Sequence, residues 1–212
     1  MIHHQLPGML LKINSDNPSE RKIGQLVDIL RKGGVIIYPT DTVYGLGCDI
    51  ENTKAVERIC RLRGLKPEKA RLSFICENIS QVSQYTMPID NHLFRLMKKN
   101  LPGPFTFVLR ANSSLPKLLK NRKKTVGIRI PENNIAMAIV EQLGRPILSI
   151  SLKSEDEILE YFTDPEDIFE DFKKLVDVVV DGGVGGNTPS TIVDCTEGEA
   201  EIIREGAVEL KY

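Results

Sequence analysis

Between Tyr38 and Gly47 the chain reads YPTDTVYGLG, which sets two threonine hydroxyls, a carboxylate and two glycines directly behind the apolar run Val35-Ile36-Ile37. That run reads as a buried strand, so the polar groups at its end are suited to holding something polar. A second group is the basic run ERICRLRGLKPEKAR at 57–71, in which Arg61 and Arg63 close a helix while Lys66, Lys69 and Arg71 lie in the loop beyond. Cations at a helix C-terminus gain about 0.3–1 kcal/mol from the macrodipole, which accounts for the run without a ligand. Alternatively the cluster grips phosphate or carboxylate, arginine offering a bidentate fork.

Arg129 sits among apolar neighbours in VGIRIP. A lone charge there requires a partner, and a buried carboxylate explains it as well as a bound anion does. In LSISLK, Ser149 and Ser151 share one face of a strand, where they either bond backbone or face a ligand. Ser190 and Thr191 follow the glycine-rich DGGVGGNTP, whose glycines let backbone approach a ligand closely. That segment is no P-loop, because it lacks the Lys-Ser/Thr step and Pro189 opposes a helix; it reads as a turn between two strands. The three histidines, His3, His4 and His92, suggest no Ser-His-Asp triad, and His92 reads as a surface residue. Carboxylates do not recur at metal-ligand spacing. Polar groups at strand ends without a nucleophile or base suit a reaction run by positioning and charge neutralisation, such as adenylyl or phosphoryl chemistry.

The elements that would position these groups alternate along the chain. Met9–Ile13 reads as a short strand, and Ile23, Leu26, Val27 and Leu30 recur at helical spacing before Gly33-Gly34. The strand at 35–38 precedes the polar loop, after which Asn52 caps a helix with Ala55, Val56, Ile59 and Cys60 inward. Further strands are expected at 72–76, 103–110, 125–130 and 146–151, with helices near 90–100, carrying Leu93, Leu96 and Met97, and at 134–143. The acidic segment from Glu155 to Asp171 reads as an exposed loop and helix. Three late strands, DVVVD, STIVD and EIIRE, lack intervening helices, so part of the sheet should be antiparallel. The expected architecture is one α/β domain with a twisted, mixed parallel and antiparallel sheet flanked by helices.

Composition narrows the function classes. At 212 residues, 41% hydrophobic and 27% charged, the chain has ample core for a globular domain. A net charge of −1 supplies no bulk attraction to nucleic acid or acidic membranes. No apolar run approaches the roughly 20 residues that span a bilayer. The N-terminus lacks signal-peptide character, which makes a cytoplasmic location the expectation. Cys48, Cys60, Cys76 and Cys195 are scattered, without a CxxC pair, and read as reduced core thiols.

GGVIIYPTDTVYGLG, LPGPFTFVLR, VGIRIP, ILSIS, STIVD and IIREG, in this order, resemble the YrdC family from about Asn17 to the end. ERICRLR, FRLMKKNLPGPFTFVL and LSISL are similar to its YciO branch. Residues 1–16 would then be an N-terminal strand and extension, and 17–212 the YrdC-like domain. The resemblance implies a sheet curled around a large basic cleft. It further implies synthesis of threonylcarbamoyl-AMP and pyrophosphate from L-threonine, bicarbonate and ATP with Mg2+, a step in the t6A modification of tRNA. Some members are associated with double-stranded RNA. An RNA-binding protein acting on tRNA, double-stranded RNA or ribosomal RNA without the synthase step is therefore the alternative, to which the lysine-rich KLLKNRKKT, 117–125, adds support.

Position by position, the resemblance assigns Thr40 and Tyr44 to the threonine pocket, Arg63 to the substrate carboxylate and Arg61 to ATP phosphates. Arg129 would face the cleft, Ser149 would touch threonine, and Lys69, Ser151, Ser190 and Arg204 would lie along the nucleotide. Arg61, Arg63 and Arg129 would carry the catalytic charge. Two positions depart from the family pattern: Arg61 replaces a lysine, and Lys153 replaces the asparagine of the family's STSAN strand. The second departure bears on synthase activity and leaves the fold reading untouched.

Overall fold

Asn52 accepts a hydrogen bond from the Ala55 amide at 3.0 Å and so starts helix α2, Thr53–Leu62. Its buried residues are Ala55, Val56, Ile59 and Cys60, the stripe the sequence spacing requires. Asn52→Ala is expected to lower stability by about 1 kcal/mol, seen as a shift of the urea midpoint with an unchanged slope. Asn78 caps α3, Ile79–Ser83, and Asn133 caps α5, Asn134–Leu143, in the same way.

The computed structural model describes residues 8–66, 72–120, 123–153 and 160–212. Helices α1 (Glu20–Arg31), α4 (Asn91–Asn100) and α6 (Pro165–Phe172) complete the helical set, with a 3-10 turn at Lys117–Leu119. The strands are β1 (Met9–Lys12), β2 (Val35–Tyr38), β3 (Gly45–Asp49), β4 (Ser73–Ile75) and β5 (Phe105–Arg110). They continue as β6 (Thr125–Arg129), β7 (Ile147–Ser151), β8 (Val178–Asp181), β9 (Thr191–Asp194) and β10 (Glu201–Arg204). These strands form one mixed sheet in the order β1-β8-β2-β3-β7-β4-β6-β5-β9-β10.

The polar stretch after β2 is not loop throughout: Gly45–Asp49 is β3, antiparallel to β2, because Leu46 and Cys48 alternate with glycines at period two. The antiparallel pairing expected among the late strands is found between β9 and β10, while β8 stands apart from both. β8 lies parallel to β1 and β2 near one edge, whereas β9 pairs parallel with β5 and antiparallel with β10 at the other. The connection through 182–190 crosses the molecule, and a missing helix says nothing about that distance. Among the described residues of the acidic segment, α6 is not wholly solvated, since Pro165 and Ile168 are buried.

Alternation divides the core between the two sheet faces. Val35 and Ile37 join Leu46, Phe74, Phe107 and Leu148 under α2 and α4. Ile36 and Tyr38 join Ile75, Ile147, Val178 and Val180 under α1 and α5. On this second face the helical cover stops partway across the sheet. The register sets Gly47 beside Ser149, Ser149 beside Ser73, Ser73 beside Gly127 and Gly127 beside Val108. A row of glycine and serine beyond the cover is a floor on which a ligand can lie.

β3 and β4 both run antiparallel to β7, hence parallel to one another, with α2 as their crossover. A crossover helix returns the chain to the end where its strands begin. α2 therefore brings Arg61 and Arg63 to the end of the sheet marked by Gly45, Ser73 and Ser151.

Candidate binding cleft

The loop at 39–44 arches across the floor. Asp41 Oδ1 accepts from Arg129 Nη2 at 2.6 Å, and Asp41 Oδ2 accepts from the Glu132 amide at 3.0 Å. β6 lies three strand spacings from β3, about 14 Å, so the loop must cross the face to make these bonds. Arg129 and Asp41 side chains are 8% and 7% exposed. Of the two sequence readings of Arg129, the structure shows the ion pair. Its charge is balanced internally, and its Nε is buried without a hydrogen-bond partner among the described residues.

Thr40 and Thr42 stiffen this roof. Thr40 Oγ1 donates to the Val43 carbonyl at 2.7 Å and accepts from the Thr42 amide at 3.1 Å, while Thr42 Oγ1 accepts from Arg129 Nη2 at 3.1 Å. Tyr44 is fully buried, and its hydroxyl donates to the Gly183 carbonyl at 2.7 Å. Thr40 and Tyr44 thus spend their hydroxyls on the roof and on the glycine-rich loop that props it. Burial pushes the Tyr44 phenol up to about 12, so that contact keeps its proton at neutral pH.

Beneath the roof, Ser149 is 6% exposed and accepts from the Tyr38 hydroxyl at 2.7 Å. A band of hydroxyls continues toward β10. Ser73 Oγ and Thr106 Cγ2 both lie over Gly127, where an added Cβ would meet them at 3.1 and 3.3 Å. Thr106 Oγ1 and Ser190 Oγ are 2.8 Å apart, and Arg204 Nη2 donates to the Ser190 carbonyl at 2.6 Å. Lys153 closes the band from the other side: its Nζ meets Glu160 Oε1 at 2.6 Å and stands 5.5 Å from the centre of the Tyr161 ring. That hydrogen bond raises the Lys153 pKa and lowers that of Glu160, and Arg204 is near enough for its charge to act on both. In a flat sheet β7 and β10 would be five spacings, about 24 Å, apart. The sheet and the chain after β7 therefore curl toward each other.

Apart from Thr40, Tyr44 and Arg129, placed above in the roof and beneath it, the predicted residues fall into three groups. Ser149, Ser190 and Arg204 join one continuous polar band, and half-buried Ser151 follows Ser149 along β7. Arg61 is exposed and Arg63 half-buried at the adjoining end, where Arg63 Nε is buried without a partner among the described residues. Lys69 lies outside the described residues. Tyr38, Ser73 and Thr106 were not singled out from sequence, since only the strand register sets them beside the others. Among the described residues no three His, Cys, Asp or Glu side chains gather as a metal cage, and no helix is long and apolar enough to cross a membrane.

The family model Sua5/YciO/YrdC, described as telomere recombination, matches residues 28–206. The YciO protein of Escherichia coli (strain K12) is 45% identical over 201 residues, covering 94% of this chain and 96% of that protein. The crystal structure of E. coli YciO aligns with a TM-score of 0.89 at 43% identity, over 96% of this chain and 98% of that one. A structure of P. abyssi Sua5 complexed with L-threonine aligns with a TM-score of 0.83 at 28% identity, over 93% of this chain and 57% of that one.

Proposed function

The chain belongs to the Sua5/YciO/YrdC family, and from that premise we propose that its cleft binds L-threonine and ATP and forms threonylcarbamoyl-AMP. The observation that carries this reading is a pair of buried guanidinium Nε atoms, of Arg63 and Arg129, without a hydrogen-bond partner among the described residues. A buried donor without a partner costs about 1–3 kcal/mol, which an anionic ligand would recover. L-Threonine brings a carboxylate of the right kind, and P. abyssi Sua5, whose fold this chain shares, has been crystallised with it.

In the proposed reaction the amine of threonine attacks the carbon of bicarbonate, and water is lost as the carbamate forms. A carbamate oxygen then attacks the α-phosphorus of ATP, the bond to the bridging oxygen breaks, and pyrophosphate leaves. Arg63 takes the threonine carboxylate. Arg61 and Arg204 would face the phosphates, with Ser151 and Ser190 along the nucleotide, and the same role is assigned to Lys69 by the family resemblance alone. Arg129 serves chiefly to hold the roof. Mg2+, if required, would be held chiefly by the nucleotide's phosphate oxygens and would neutralise their charge.

Pyrophosphate release tests the proposal. It should require threonine, bicarbonate and ATP together; silence with all three saturating, or release indifferent to threonine, removes the synthase reading. Loss of a charge-assisted contact of about 1.5–3 kcal/mol leads Arg63→Ala to weaken threonine use roughly 10–100-fold, measured as kcat/KM. The RNA alternative makes a different demand. Gripping several phosphates would give an affinity that falls steeply with salt.

A further inference from the structure

Tyr38 ends β2 with its side chain wholly buried, yet its hydroxyl does not finish in the core. The ring lies across β3, against Gly47 and Gly45: a Cβ at Gly47 would come within 2.7 Å of Tyr38 Cε1, and one at Gly45 within 2.9 Å of Ser149 Oγ. Two glycines at alternate positions therefore clear a channel through which the phenol reaches over one strand to the next. There it donates to Ser149 Oγ at 2.7 Å.

We infer that Tyr38 is a positioning residue that fixes Ser149 as a hydrogen-bond donor into the cleft. A phenol is a stronger acid than an alcohol, so the bond runs from tyrosine to serine. Burial raises the phenol to about 12, and the proton stays on tyrosine at neutral pH. Ser149 then has its own proton left to give, and that proton meets no acceptor among the described residues. An oxygen that accepts one hydrogen bond becomes a better donor of another. The ligand atom it meets must be an acceptor, a carboxylate or carbonyl oxygen, and not an ammonium. Ser73 stands opposite Ser149 in the register and offers a second hydroxyl beside it.

This inference rests on the threonine reading for its ligand, and calorimetry with L-threonine separates the two. Four proteins are compared: the wild type, Tyr38→Phe, Ser149→Ala and the double variant. Tyr38→Phe should weaken threonine roughly 3–10-fold, and Ser149→Ala at least as much. In the Ser149→Ala background, Tyr38→Phe should add nothing, whereas a tyrosine that only packs would act equally in both backgrounds. An unchanged affinity in Tyr38→Phe, or fully additive losses, overturns the relay and leaves the threonine reading standing. Absence of threonine binding by the wild type overturns both. If Tyr38→Phe does not fold, Ser149→Ala decides: undiminished affinity there refutes the donor role.

Discussion

Asp41→Ala is expected to destabilise the protein by about 3–5 kcal/mol, because it strands the Arg129 guanidinium without its counter-ion. The pair is 2.6 Å long, with side chains 8% and 7% exposed, so water cannot readily replace the carboxylate. Asp41 also accepts the Glu132 amide, which would lose its partner at the same time. Urea unfolding measures the loss. The companion double substitution Asp41→Leu/Arg129→Met should recover much of it, since removing both charges leaves none buried alone. A loss below about 1 kcal/mol for Asp41→Ala would mean that Arg129 is solvated or paired elsewhere. It would return Arg129 to the cations proposed to face the ligand.

Gly186→Ala should act on the same roof from above. A Cβ at Gly186 would overlap the Thr42 carbonyl oxygen, and one at Gly185 would stand 2.6 Å from the Tyr44 ring. The obstacle at Gly186 is backbone, which cannot rotate away as a side-chain end does. Overpacking of this kind costs about 1–3 kcal/mol, and relief requires the 39–44 loop to shift over the floor. Gly186→Ala is therefore expected to lower both stability and threonine affinity, measured by urea unfolding and calorimetry. Val184, in the same loop and 80% exposed, supplies the control: Val184→Ala should change neither. Normal affinity in Gly186→Ala would show that the roof is not part of the site.

Periodicity made most elements legible before any coordinates. The buried stripe of α2 and its Asn52 cap are local properties, written within about three turns of chain, and spacing alone is enough to read them. β3 was hidden because glycine carries no hydrophobic signal. Its Leu46 looked like the tail of a polar loop until antiparallel pairing with β2 gave it a face. The partners of Arg129 and Ser149 were hidden for a different reason. Asp41 is 88 residues from Arg129, and Tyr38 is 111 from Ser149, and no local pattern encodes which distant strand will lie alongside. Arg129 could be flagged as a charge in need of a partner, but choosing between carboxylate and ligand needed the fold. Thr40 and Tyr44 lay in the right loop, yet their hydroxyls hold that loop in shape.

The central claim is that one hollow, floored by Ser149 and Ser73 and roofed by residues 39–44, receives L-threonine. An amide NMR titration of the wild-type protein with L-threonine tests it most directly. Threonine binding there should shift amides concentrated at Thr40–Gly47, Ser73 and Ser149–Ser151, with none at the separate surface pocket lined by Met87, Leu93, Arg110 and Cys195. No shifts at saturating threonine, or shifts gathered at that pocket instead, would contradict it.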